Sequence, residues 1–356
     1  MKVKTNELKN ILTLAMKCDS GTRRNGQPFE TIVDFKDKFV YSFSANLGIK
    51  IPTTIDMNFC VNTLAFKQIV DRVATDEIEL EIVADKLKVR AGKLKANTAI
   101  YNSDEVKKIA SSVKADITNT LSENFVEGLK ATCIIDNMSK LLGVYVQMLD
   151  NETNIWSSDK IRIACKKYEA NNANKFDVYF YQNFVDIISS VAEKPISIGV
   201  QNEGNWVEVA FENDCKAYAL RKSNNIFPVD LVYKTYNNLI DIEDSCKFNL
   251  TNEFVDSMKF ISGFDNGVGN YAGKSAHIVI DNNNVSFEAK SNDVEIVETL
   301  TLEKETNFKA DFIIPLFALT GTTDKSIASV KSVNNRIIFV IENEFTTIIC
   351  NSLKTM

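Results

Sequence analysis

Histidine is almost absent from this sequence. Among 356 residues only His277 is present, so any Ser-His-Asp or Cys-His centre would have to use it. It lies in the run KSAHIVI, which reads as a strand, and a strand histidine is the plainer reading. Clustered cysteines are absent too. The seven stand at 18, 60, 133, 165, 215, 246 and 350, which excludes CxxC redox pairs and local zinc knuckles. Wide spacing and an odd count suit a reducing compartment, where a buried Cys acts as a small hydrophobe. No apolar run approaches the roughly 18 residues of a membrane span, so no membrane partner is expected. The first residues, MKVKTNELKNIL, lack a signal-peptide core and cleavage site, and the expected location is cytoplasmic. The one glycine-rich stretch, GFDNGVGNYAG from Gly263 to Gly273, lacks phosphate-loop spacing and reads as a loop insertion. These absences leave no candidate catalytic residue, no metal site and no cofactor. Only carboxylate chemistry remains, and Asp76, Glu77, Glu79 and Glu81 read as a solvated strand face. The chain is not expected to be an enzyme.

What is present is a charge gradient. The net charge is -6, but residues 1–115 carry 19 Lys+Arg against 14 Asp+Glu, residues 116–238 carry 12 against 16, and residues 239–356 carry 10 against 17. A basic first third on an acidic body is an asymmetry with meaning for partners.

A second feature is an internal repeat. A short strand, an amphipathic helix and alternating strands recur from Met1, Phe59, Thr118, Phe176, Cys246 and Phe308, a period of about 59 residues. Helices are predicted over Asn6 to Lys17 and Glu123 to Ile134. Apolar residues fall on one helical face at Leu8, Ile11, Leu12 and Ala15, at Phe66, Ile69, Val70 and Val73, at Phe184, Ile187, Ile188 and Val191, and at Phe254, Met258 and Ile261. Ile78, Leu80 and Ile82 alternate with Glu77, Glu79 and Glu81. One helix on one half-covered sheet cannot close a core, whereas two units can. The expected architecture is α+β, with six β-α-β units paired into three repeated domains, each of two helices packed on antiparallel sheets: residues 1–115, 116–238 and 239–356. Linkers are expected near Ser111 to Asn119 and Tyr236 to Asp244.

Three stretches carry a family resemblance. They are TRRNGQPFETIVDF (Thr22 to Phe35), the helix, acidic strand and basic strand from Phe59 to Tyr101, and SDKIRIA (Ser158 to Ala164) followed by FPVDLVY (Phe227 to Tyr233). In these the chain resembles the bacterial DNA polymerase III beta subunit family, the ring-shaped DNA sliding clamps. The match is best in the first domain and weakest in the third. Lys160 and Ile161 stand where the family usually has Gly-His, and the C-terminus runs IICNSLKTM in place of a compact apolar tail. Such divergence, with abundant Asn and Lys, suits a phage or plasmid clamp.

The resemblance implies the DNA-clamp fold and a processivity factor that encircles double-stranded DNA without reading its sequence. Its other partners would be a DNA polymerase, a clamp loader and a second copy in a homodimeric ring. It implies that helix faces and one loop meet phosphates, with Arg23, Arg24, Lys9, Lys17, Lys67, Arg72, Lys130, Lys194 and Lys259 as candidates. It implies a partner-peptide pocket walled by Ile161, Arg162, Ile163, Phe227, Pro228, Leu231, Val232, Ile348, Ile349 and Cys350. The alternative is a non-enzymatic β-rich structural or interaction protein, such as a virion component, without DNA binding. It would explain the repeat and the acidity but not the basic first third.

Overall fold

The structure is a computed structural model. It describes residues 1–18, 32–44, 46–133, 143–159, 162–201, 205–221, 227–262, 275–290, 295–302, 307–315, 326–333, 336–344, 346–351 and 353–354. In chain order the first elements are β1 (Lys2–Lys4), α1 (Thr5–Met16), β2 (Ile32–Lys36), β3 (Phe39–Phe43), β4 (Leu47–Pro52), β5 (Phe59–Asn62), α2 (Thr63–Asp71), β6 (Glu77–Val83), β7 (Lys86–Ala91), β8 (Leu94–Ala99) and α3 (Asp104–Ser112). There follow β9 (Ile117–Thr120), α4 (Phe125–Thr132), β10 (Gly143–Met148), β11 (Glu152–Ser158), β12 (Arg162–Glu169), β13 (Phe176–Tyr181), α5 (Gln182–Ile188), β14 (Pro195–Val200), β15 (Trp206–Phe211), β16 (Lys216–Leu220) and α6 (Val229–Ile240). The last are β17 (Cys246–Asn249), α7 (Asn252–Ser262), β18 (Ser275–Asp281), β19 (Asn284–Lys290), β20 (Glu295–Thr301), β21 (Lys309–Pro315), β22 (Ile327–Val333), β23 (Arg336–Glu342), β24 (Thr347–Asn351) and β25 (Leu353–Lys354).

These elements gather into two compact units. One holds residues 1–126, 148–151 and 170–223, the other residues 127–147, 152–169 and 224–356. In the first unit a four-stranded sheet runs β1-β6-β7-β8 and a larger one runs β5-β2-β3-β4-β16-β15-β14-β9. α1 and α2 pack together over this unit's core, because their apolar residues fall on one stripe. Leu8, Ile11, Leu12, Ala15, Phe66 and Val70 are fully buried. Phe66 meets Phe35 and Phe59 edge-on while those two rings stack at 4.4 Å. Asn62 starts α2 by accepting a hydrogen bond from the Ala65 amide at 2.9 Å. Asp37 and Lys38, both at positive φ, form the two-residue turn between β2 and β3.

In the second unit one sheet runs β10-β11-β12-β24-β23-β22-β17 and another runs β20-β19-β18-β21-β25. α7 lies on the second of these. It begins where Thr251 Oγ1 accepts from the Phe254 amide at 3.1 Å, and it buries Phe254, Met258 and Ile261 against Phe248, Ile278 and Phe287.

The repeat is legible in these sheets. Strands before and after each proposed boundary share one sheet, through β4–β16 in the first unit and β12–β24 in the second. Gly48 in β4 permits the first join, since a Cβ there would lie 2.1 Å from the Phe43 ring. That ring packs on Tyr218 of β16 and edge-on to Trp206 of β15.

Several expectations need revision. The span taken as a linker from Tyr236 to Asp244 is half helix, because α6 continues to Ile240. The other is shorter than expected, since α3 ends at Ser112 and β9 starts at Ile117. Ile82 is exposed, not buried like Ile78 and Leu80, because it lies beside the β6–β7 turn. Ile69 is only half-buried. The Gly263–Gly273 stretch and most of the sixth helix region lie outside the described residues.

Candidate functional site

The second unit presents α6 against β11, β12 and β24. Side chains alternate along strands, and residues directly opposite share a face. Arg162 pairs with Cys350, Ile163 with Ile349, Ala164 with Ile348 and Cys165 with Thr347. Trp156 pairs with Cys165, and Asn154 with Lys167. One face therefore carries Asn154, Trp156, Ile163, Cys165, Lys167, Thr347 and Ile349, and α6 lies on it. Tyr236 of α6 hydrogen-bonds Thr347 and Cys165, and burial first, then the charge of Cys165, pushes its phenol up to about 12. The other face carries Arg162, Ala164, Ile348 and Cys350, and the last three belong to the core over which α7 packs.

This register divides the ten predicted pocket residues. Ile163 and Ile349 face α6. Val232 is buried within α6, Leu231 is 65% exposed, Phe227 stacks on Tyr145 at 5.3 Å, and Pro228 caps the helix. Arg162 is 1% exposed and turned away. Its Nε and a terminal guanidinium nitrogen each lie 2.9 Å from Asp159 Oδ2, and its amide donates to Asp159 Oδ1 at 2.6 Å. Its guanidinium is therefore held by Asp159 within the fold, and Ile348 and Cys350 beside it are core. Ile161 lies outside the described residues.

The sequence reading missed five residues here. Trp156 is fully buried, with Tyr233 and Tyr236 edge-on to it at 5.8 and 5.2 Å. Lys167 sits over all three rings. Lys331 in β22 is buried, and its ammonium donates to the Ile240 and Ile242 carbonyls at 2.8 and 2.6 Å and pairs with Asp244 at 3.1 Å. It satisfies carbonyls at the end of α6 that the helix itself leaves unpaired. A signal for α6 was present in the sequence: Pro228 followed by Val229, Val232 and Tyr236 at helical spacing. We expect Lys331→Met to cost about 1–3 kcal/mol, read as a lowered urea midpoint and faster amide exchange confined to the last turn of α6.

The candidate phosphate-binding cations are dispersed. Lys9 is half-buried and donates to the Val73 carbonyl at 3.0 Å, so it ties α1 to the end of α2. Lys67 pairs with Asp71 at 2.7 Å, Lys194 with Glu123 at 3.7 Å and Lys259 with Asp256 at 3.7 Å. Arg72 caps α2, Lys17 caps α1 and Lys130 is exposed in the last turn of α4. Lys194 is not on a helix, since α5 stops at Ile188 and Lys194 precedes β14. Arg23 and Arg24 lie outside the described residues. Exposed ion pairs are weak and salt-screened, so these pairings hold the ammonium groups only loosely.

Elsewhere the sequence reading of His277 as a strand histidine stands. It lies in β18 with Nε2 2.5 Å from Asp311 and Nδ1 3.3 Å from Glu288. Burial pushes the thiols of Cys165, Cys215 and Cys350 up to about 12, which makes them poor nucleophiles at neutral pH. Among the described residues no cluster could hold a metal ion, and no helix is long and apolar enough to cross a membrane.

No protein-family model and no curated protein matches the sequence. Solved structures do. The DNA polymerase III beta subunit of Thermotoga maritima superposes with a TM-score of 0.77 at 17% identity, covering 100% of this chain and 99% of that one. The Helicobacter pylori beta clamp bound to a DNA ligase peptide gives 0.78 at 14% identity, covering 100% of both chains. The DNA polymerase sliding clamp of Bacillus subtilis gives 0.76 at 13%, covering 100% and 99%. From end to end, this chain has the fold of the bacterial DNA polymerase III beta subunits.

Proposed function

We propose that this chain is a DNA sliding clamp, a non-enzymatic cytoplasmic processivity factor. It encircles duplex DNA without reading sequence and tethers a replicative DNA polymerase and other peptide-bearing partners. A separate clamp loader opens it. The observation that carries this reading is the full-length likeness in fold to polymerase beta subunits from several organisms. The α6 face is our candidate for the partner peptide, in keeping with the DNA ligase peptide on the Helicobacter pylori clamp.

In this reading the domains are residues 1–115, 116–238 and 239–356, and two copies join head to tail. Two sheet edges with no further strand among the described residues suit that join. β8 is last in its sheet and brings exposed Lys95, with exposed Lys93 in the turn before it; β20 is last in its sheet and brings Glu295 and Glu298. One Glu298 oxygen is shielded from solvent and has no hydrogen-bond partner among the described residues. An open edge invites a strand from another chain, and opposite charge selects which.

Encirclement predicts topological retention. The protein, once loaded, should stay on a closed circular plasmid through gel filtration at high salt and leave when one cut linearises it. Equal loss from circle and linear DNA would overturn the clamp reading. Arg23→Ala with Arg24→Ala should shorten retention and lower the slope of log affinity against log salt by about 1 per cation removed.

A further inference from the structure

We propose that Lys331 is a positioning residue for the α6 face: it grips the C-terminal end of α6 from the sheet and so sets where Leu231 and Tyr233 stand for a partner. The proposal rests on the reading of that face as the peptide site and adds the residue that fixes its geometry.

Register places Lys331 on this layer. Ala328 and Val330 belong to the core under α7, so Ser329 and Lys331, which alternate with them, point to the opposite face. That is the face of Ile349, since Ser329 pairs with Val340 and Val340 with Ile349. Ser329 and Lys331 are both buried there. A lysine is seldom buried unless it is paired. An ammonium has three donors, and the three acceptors around it, the Ile240 and Ile242 carbonyls and Asp244, can take one each.

A cation that only completes a helix end can sit on the helix itself, in its last turn, as Lys130 does in α4 and Lys259 in α7. α6 has no basic residue in its last turn. Its cation comes instead from β22, 91 residues away along the chain, so the contact fixes the helix against the sheet as well as closing it. Lys247 extends the grip, pairing with Asp244 at 3.9 Å and with Glu342 at 3.8 Å. Glu342 lies opposite Thr347, to which Tyr236 of α6 is hydrogen-bonded. At the other end of α6 the Phe227 ring stacks on Tyr145. Tyr233 stands about 10 Å along the helix axis from Ile240, a distance over which a helix moves as one rod. The exposed Leu231 and Tyr233 are therefore carried by a helix held at both ends.

The test uses the full chain with Trp206→Phe, which leaves Trp156 as the single tryptophan. Peptides enriched on this protein from a displayed library of random dodecapeptides are titrated while Trp156 emission is followed, at a temperature where every variant is folded. We expect Lys331→Met to bind the enriched peptides about tenfold more weakly, within the range for a residue that acts on a site without touching its ligand. The emission of unliganded Trp156 should change with it, because Tyr233 and Tyr236 lie edge-on to that ring. Asp244→Asn, a milder change at the more exposed end of the contact, should act in the same direction, and it carries the test should Lys331→Met fail to fold. Met258→Ala, which opens space under α7 and lowers stability, should bind as the wild type does. A lowered urea midpoint with wild-type peptide affinity in the Lys331 and Asp244 variants would reduce Lys331 to a stability role and overturn the proposal while leaving the α6 site. Absence of any enriched peptide that shifts Trp156 emission, in a protein still retained on circular DNA, would overturn the α6 site and this inference with it, but not the clamp.

Discussion

Arg162→Ala is expected to destabilise the second unit by about 3–5 kcal/mol, the usual consequence of leaving one member of a buried ion pair alone. Arg162 and Asp159 are both buried, at 0% and 3% side-chain exposure, and share three short hydrogen bonds. They close the connection between β11 and β12, where Ser158 Oγ also donates to the Arg162 carbonyl at 2.9 Å. Removing the guanidinium strands a carboxylate in the interior beside Cys350. Urea unfolding followed by circular dichroism should show the lost stability as a lower midpoint at unchanged slope. The double variant Asp159→Leu with Arg162→Met should recover most of it, because an apolar pair of similar volume avoids the desolvation of two charges. A single variant as stable as the wild type would mean that Arg162 is not held as described. Full stability with lost peptide binding would instead restore it to the pocket wall.

Charge reversal at one sheet edge should break the proposed ring. Lys93→Glu with Lys95→Glu places acids on β8 and in the turn before it, against Glu295 and Glu298 of the second copy. Like charges across an interface cost several kcal/mol, and 1.4 kcal/mol is tenfold in affinity, so dimerisation should weaken at least 100-fold. Sedimentation velocity would show dimer giving way to monomer, and retention on circular plasmid would fall with it. Lys95 is exposed on the edge strand and Lys93 in the turn before it, so the fold should survive, and an unchanged melting curve would verify that. Mixing the variant with Glu295→Lys, Glu298→Lys protein should restore opposite charge at both contacts of the mixed pair and recover an assembled dimer. A variant that remains dimeric at wild-type affinity would exclude this edge pairing.

Much of the architecture was legible beforehand because it depends on local periodicity. Leu8, Ile11, Leu12 and Ala15 at 3.6-residue spacing can bury only one stripe of a helix, and they do. Ile78 and Leu80 alternate with Glu77 and Glu79, and the faces separate as expected. α3 and α6 went unread as helices for different reasons. α3 lies in NSDEVKKIASS, where charge outweighs apolar residues. α6 was read as a pocket-lining segment although its apolar spacing was helical.

The candidate site was less legible, because its meaning depends on register between distant strands. Arg162 and Ile163 are adjacent in sequence but occupy opposite faces of β12. Only pairing with β24, more than 180 residues later, decides which face receives α6 and which receives the core. Lys331 is the same case, since a lysine in a strand carries no sign that the end of α6 lies within reach. By itself the sequence determined the repeat, the apolar stripes and the charge gradient, all properties of spacing and composition. The tertiary structure decided which cations are held by acids, which arginine is entombed and which lysine stands over an aromatic cluster. Those outcomes follow from long-range closure, where a buried charge must find a partner and a strand side chain takes whichever layer its register faces.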